Sequence, residues 1–78
     1  MKKELVKYTM KFSKRLIVYY ANILNVNWKN GCIYSVKVKS YINLKRDYYD
    51  NFEFKLPFIP KEIIEFILIN ESKFKGIN

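Results

Sequence analysis

An α+β fold is predicted for this 78-residue chain, in the order helix, three antiparallel strands, helix, with both helices packed on one face of the sheet. Three observations carry that prediction. Residues 3–22 place apolar side chains at helical spacing, an Asn-Gly pair separates two alternating stretches, and a proline opens a second apolar run near the C-terminal end. At this length the chain makes a single domain, expected over residues 1–78.

The first helix is expected over 3–22. On a wheel of about 100° per residue, Leu5, Tyr8, Phe12, Leu16, Tyr19 and Ile23 fall within about 40° of one direction. Val6, Met10, Ile17 and Leu24 widen the apolar face, as contact with a sheet requires. Lys3, Lys7, Lys11, Lys14 and Arg15 gather on the opposing arc. Alternation fails over residues 1–15 on this reading, so helix is expected there.

From Leu24 the period changes to two. Strands are expected at 23–28 and 32–44, joined by a three-residue loop, Lys29-Asn30-Gly31, with Gly31 left-handed. That loop pairs Trp28 with Cys32, Val26 with Tyr34 and Leu24 with Val36, and so collects the apolar residues on one face. After a polar connection, a third strand at 51–58 alternates Phe52, Phe54, Leu56 and Phe58 with polar residues. Pro57 belongs at its edge or end. A second helix is expected at 60–72, with Pro60 at its first position and Glu62 and Glu65 in its first turns. Its β-branched content leaves a fourth strand open as the alternative, and residues 73–78 are expected to fray. On this reading the sheet has an open polar face bearing Asn25, Asn27, Ser35, Lys37, Lys39, Tyr41 and Lys55.

Charge is unevenly distributed. The first 46 residues hold eleven Lys and Arg against one acid, Glu4, while the remaining 32 hold four Lys against six acids. A concentrated positive surface points to polyanionic partners. Half of the residues are apolar and 18% are aromatic, enough for a core.

Composition also excludes chemistry. Without histidine and with one cysteine, the usual zinc, haem and iron–sulfur ligand sets and the Ser–His and Cys–His nucleophiles cannot be assembled. No catalytic residue, cofactor or metal is therefore expected. Asp47, Asp50 and Glu53 lack the glycine and ligand order of a calcium loop. A histidine-free ribonuclease would have to draw on Arg46, Tyr48, Tyr49 and Glu53, whose convergence the sequence does not establish. Lone Cys32 cannot form an intramolecular disulfide, fits a reducing cytoplasm, and is read as a small buried residue. No run reaches the roughly 20 apolar residues of a membrane span. The apolar side of the first helix is needed for the core, so no membrane partner is expected either.

Binding is the function that remains. Lysines at four-residue spacing can follow a phosphate track, and five contacts imply a log–log salt slope of about −4.5 on duplex DNA. Lysines outnumber arginines thirteen to two, which suits backbone-directed rather than base-specific contact. Trp28, Tyr41, Tyr48 and Tyr49 interleave with Lys37, Lys39, Lys45 and Arg46, a composition that single-stranded nucleic acid uses for stacking. The expected contact set is thus Lys3, Lys7, Lys11, Lys14, Arg15, Lys37, Lys39, Tyr41, Lys45, Arg46, Tyr48 and Tyr49. Its partner is nucleic acid or a protein that handles nucleic acid.

The expected element order resembles that of the double-stranded RNA-binding domain, and Asn30-Gly31 before a long alternating strand is similar to that family's entry into its second strand. That family reads phosphates with a lysine cluster at the start of its last helix. Here Pro60-Lys61-Glu62-Ile63-Ile64-Glu65 offers one lysine and two acids, so the resemblance implies topology and no site residue. Small phage inhibitors of bacterial defence nucleases, anti-CRISPR proteins among them, share this size and lack of catalytic residues. The alternative function is accordingly occlusion of such a nuclease. A third expectation is a homodimer that buries the apolar second helix between two copies.

Overall fold

Val6–Lys29 form a hairpin, and its part up to residue 22 stands where the wheel predicted a helix. The computed structural model describes residues 5–42 and 49–75. Within them the chain runs through β1 (Val6–Phe12), β2 (Arg15–Lys29), β3 (Cys32–Ile42), β4 (Tyr49–Lys55), α1 (Lys61–Ile69) and α2 (Glu71–Phe74). The strands make one four-stranded antiparallel sheet in the order β1-β2-β3-β4, leaving β1 and β4 as its edges. The expected αβββα order and three-stranded sheet are therefore wrong, and with them the topological likeness to the double-stranded RNA-binding domain.

The physical reason lies in the spacing itself. Tyr8, Phe12 and Leu16 recur every four residues, a step that fits a helix face and, being even, one face of a strand equally well. Between Val6 and Phe12 the apolar residues Val6, Tyr8, Met10 and Phe12 alternate with Lys7, Thr9 and Lys11, and each chain neighbour points to the opposite face. Leu16-Ile17-Val18-Tyr19-Tyr20 adds a run rich in β-branched and aromatic side chains, which lose rotamer freedom in a helix and pack well on a pleated surface. The turn between the strands is Ser13-Lys14, with φ of 46° and 71°. Two left-handed residues make the tight turn whose twist matches the hairpin, and Ser-Lys carries no sequence signal for it.

The second hairpin corrects the expected register. Its loop is two residues, Asn30-Gly31, both left-handed at φ 54° and 79°, so Lys29 faces Cys32 and Trp28 faces Ile33. Val26 pairs with Val36 and Ile23 with Val38, while Leu24 and Tyr34 are the extra residues at two register shifts. Cys32, at the start of β3 beside this turn, is exposed rather than buried. The strand expected at 23–28 is the distal part of the fifteen-residue β2. β3 ends at Ile42, and the final two positions of the expected strand 32–44 lie outside the described residues. The last strand spans Tyr49–Lys55 instead of 51–58. Leu56 N still donates to Tyr34 O at 3.0 Å, but Pro57 has no N–H to continue the ladder.

Two short helices replace the continuous helix expected at 60–72. Pro60, at φ −54°, caps α1 from outside, and its carbonyl accepts from the N–H groups of Ile63 and Ile64. Glu62 sits in the first turn, where the helix dipole favours an acid. Asn70 ends α1: its backbone N–H and its side-chain Nδ2 both donate to Phe66 O, at 3.1 and 2.9 Å.

Ile63 and Ile67, four residues apart, point into the sheet face that carries Val6, Tyr8, Ala21, Val26, Ile33, Val36 and Val38, and Ile59 closes the cluster. Ile63 and Ile67 are fully buried, and each isoleucine taken from water stabilises the fold by about 1.5–3 kcal/mol. Tyr8 Oη and Ser40 Oγ lie 2.7 Å apart inside this layer, while the Tyr8 ring stacks on Tyr19 at 5.2 Å and meets Phe54 edge-on at 5.8 Å. Thr9 Oγ1 donates to Glu62 Oε2 at 3.3 Å and ties β1 to the start of α1.

Candidate nucleic-acid interface

Because the helices cover one face of the sheet, alternation assigns the other face residue by residue. Lys7 and Lys11 of β1 point there, as do Lys37 and Lys39 of β3 and Lys55 of β4. Among the described residues, Glu53 stands opposite Lys37 on this face, and the Glu62 carboxylate of α1 reaches Thr9, which lies between Lys7 and Lys11 on edge strand β1. The helix layer differs: α1 and α2 carry Glu62, Glu65 and Glu71 beside Lys61 and Lys73, and Asp50 pairs with Ser40 on the helix-covered face. Charge that runs end to end along the sequence thus runs front to back in the fold.

The lysines are spread across the open face. Lys7, Lys11, Lys37 and Lys55 are exposed and Lys39 is half-buried. On a strand, residues two apart, as Lys37 and Lys39 are, typically stand about 6.4–6.8 Å apart along its axis. Asn22 and Asn51 flank Lys39 across the sheet, and Asn25 flanks Lys37. The face therefore offers cations and amides with both donors and acceptors, a surface suited to phosphate and sugar oxygens.

Two aromatics stand side by side on this face: Lys7 pairs with Tyr20 and Tyr20 with Tyr41, and the backbone of Tyr49 pairs with that of Tyr41. Tyr41 is only 5% exposed. It forms part of the floor and leaves little ring surface on which a base can stack. Ser35 is buried as well and receives a hydrogen bond from Asn27 Nδ2 at 2.9 Å, so the row beside Lys55 is pinned in place.

The expected contact residues divide into three groups. Lys7, Lys11, Lys37, Lys39 and Tyr41 share the open face, although the sequence put the first two on a separate helical stripe. Lys14 lies in the β1–β2 turn and Arg15, paired with Phe12, follows it at the hairpin tip, so neither belongs to the lysine field proper. Lys3, Lys45, Arg46 and Tyr48 lie outside the described residues, and Tyr49 is placed by its backbone pairing alone. Lys55 was legible as part of the polar face but not as a contact residue; the missing information was that β4 lies next to β3.

Other candidates separate. Trp28 sits on the helix side, where its Nε1 donates to Phe74 O at 3.0 Å and the Lys75 ammonium stands 5.0 Å above its ring. It is not interleaved with Lys37 and Lys39. Asp50 and Glu53, three residues apart on one strand, point to opposite faces and do not converge, and Asp47 lies outside the described residues. Among the described residues no group of three potential metal ligands comes together, and no helix is long and apolar enough to cross a membrane. Burial pushes the Tyr8 hydroxyl above the ordinary tyrosine range, a shift that the Ser40 hydrogen bond opposes and neighbouring Tyr19 reinforces.

Comparison with protein-family models, with curated proteins and with solved structures finds no match to this chain.

Proposed function

We propose that this protein binds nucleic acid through the open face of its sheet, without catalysing a reaction on it. The observation that supports the reading is the convergence of Lys7, Lys11, Lys37, Lys39 and Lys55, from three different strands, on one face. Lysine is a compact point charge, so these contacts track the phosphate backbone and carry little sequence information. The shielding of Tyr41 works in the same direction, because base stacking, the usual supplement to backbone contact on single strands, has little purchase there.

Fluorescence anisotropy with short single- and double-stranded RNA and DNA tests the reading. Binding that weakens steeply with salt is expected, and its loss in lysine variants of the open face would assign the site. Absence of binding even at low salt would refute it. The basic face would then belong against an acidic surface on a nucleic-acid-handling protein, as in an inhibitor that occludes a nuclease.

A further inference from the structure

The two edges of the sheet end differently. Beside β1 lies α1, whose Glu62 Oε2 accepts from Thr9 Oγ1 at 3.3 Å. Beyond β4 no described strand follows. Leu56 N donates to Tyr34 O at 3.0 Å, so by antiparallel alternation Phe54 and Phe52 also turn their main-chain N–H and C=O groups towards β3, and those of Asn51 and Glu53 point outward. Lys55 fits the same alternation, because its carbonyl accepts from Phe58 N at 2.7 Å, outside the β3–β4 ladder. The side chains of Asn51, Phe52 and Glu53 are all exposed. Phe52, 40% exposed, lines an open cavity of about 330 Å³ together with Val38 and with Leu24, 56% exposed, so uncovered apolar surface reaches the strand edge.

We infer that the outer edge of β4 pairs with β4 of a second copy, antiparallel, about a twofold axis at Phe52. An unpaired edge accepts strands in general; the residues around Phe52 select this chain's own strand. About that axis Asn51 of each copy faces Glu53 of the other, and these are the residues whose main-chain groups point outward. Each such pair exchanges two hydrogen bonds, and its twofold twin two more. The Asn51 amide meets a carboxylate to which it can donate, and Phe52 meets Phe52 of the second copy in the closer, non-hydrogen-bonded kind of pair. Neighbouring registers are worse: centring on Glu53 opposes two carboxylates, and centring on Asn51 sets Phe52 against Asp50. Charge selects the same edge. Of the four strands only β4 has an acidic balance, Asp50 and Glu53 against Lys55, whereas pairing at β1 would bring Lys7 and Lys11 of two +8 molecules together. With the axis perpendicular to the sheet, two four-stranded sheets join into one of eight strands, and both open lysine faces lie on the same side.

The inference does not depend on nucleic-acid binding and is tested without it. Sedimentation equilibrium on the full chain should approach about 19 kDa, twice the 9.5 kDa of one copy, as concentration rises. Over the same range amide hydrogen exchange at Asn51 and Glu53 should slow, while Phe52 and Phe54, already bonded to β3, keep their protection. Asn51→Pro deletes an outward N–H that the β3–β4 ladder does not use, so circular dichroism should be retained and association should weaken about tenfold or more. Asn51→Glu sets like charges opposite each other at two places in the dimer, and Asn51→Lys sets opposite charges there. The first should loosen and the second tighten association, each by about two- to thirtyfold, and this pair decides the matter if the proline variant fails to fold. A monomer at all concentrations up to several hundred micromolar would overturn the inference and leave the edge to a strand of a different protein. So would a dimer that a folded Asn51→Pro leaves unchanged, or one in which the two charge variants do not act in these opposite senses.

Discussion

Replacing Lys7 and Lys37 with glutamine removes two cations from the open face, one from the edge strand β1 and one from the interior strand β3. If each of the four exposed lysines Lys7, Lys11, Lys37 and Lys55 neutralises one phosphate, counterion release sets a log–log salt slope of about −2.8 on single strands and about −3.6 on duplex DNA. Between 50 and 200 mM salt the affinity for a single strand then falls roughly 50-fold. With two contacts left the slope is about −1.4, and the same salt step costs only about sevenfold. The assay is anisotropy of a labelled oligonucleotide at four or five salt concentrations, with wild type and variant side by side. Both positions are solvent-exposed, so stability should change by no more than about 0.5 kcal/mol, checked by thermal melting. A folded double variant that keeps the wild-type slope would refute the assignment of these lysines to phosphate contact, whatever its absolute affinity.

Further expectations concern the core beneath the face. Tyr8→Phe strands the buried Ser40 hydroxyl and should cost about 1–3 kcal/mol, whereas Tyr8→Phe with Ser40→Ala should cost less than the two single changes together; strict additivity in a denaturant double-mutant cycle would deny the hydrogen bond a structural role. The raised Tyr8 pKa means the folded state holds this proton more tightly than the unfolded chain. Stability from this source is intact below pH 10.0, the unfolded value, and falls as pH rises from there through the higher folded value; denaturant melts at rising alkaline pH should show the fall, and Tyr8→Phe should flatten it. Ile67→Val trims a fully buried side chain and should cost about 0.5–1.5 kcal/mol, read as a lower melting temperature; an unchanged melting temperature would contradict the packing of α1 on the sheet.

Local signals carried part of the way. Asn30-Gly31 announced the β2–β3 hairpin because both residues tolerate positive φ, and Pro60 with Glu62 marked the start of a helix for equally local reasons. The set Asn25, Asn27, Ser35, Lys37, Lys39, Tyr41 and Lys55 emerges on the open face because strand alternation is a property of the backbone. Residues 5–22 misled because a four-residue recurrence belongs to both periods, and the Ser13-Lys14 turn between β1 and β2 uses residues that seldom adopt its conformation.

By itself, then, the sequence determined the chemistry available: no histidine, one thiol, a large excess of lysine, and enough apolar side chains for one core. It also placed Val26, Val36 and Val38 on one face and Lys37 and Lys39 on the other, but not the register shifts that leave Leu24 and Tyr34 exposed. Only the tertiary structure decided that Lys7 and Lys11 join Lys37, Lys39 and Lys55, and that Tyr41 becomes floor instead of platform. Such outcomes depend on which strands lie side by side. Strand neighbours are chosen by burial across the whole sheet, a sum over residues far apart in the chain that no local period contains.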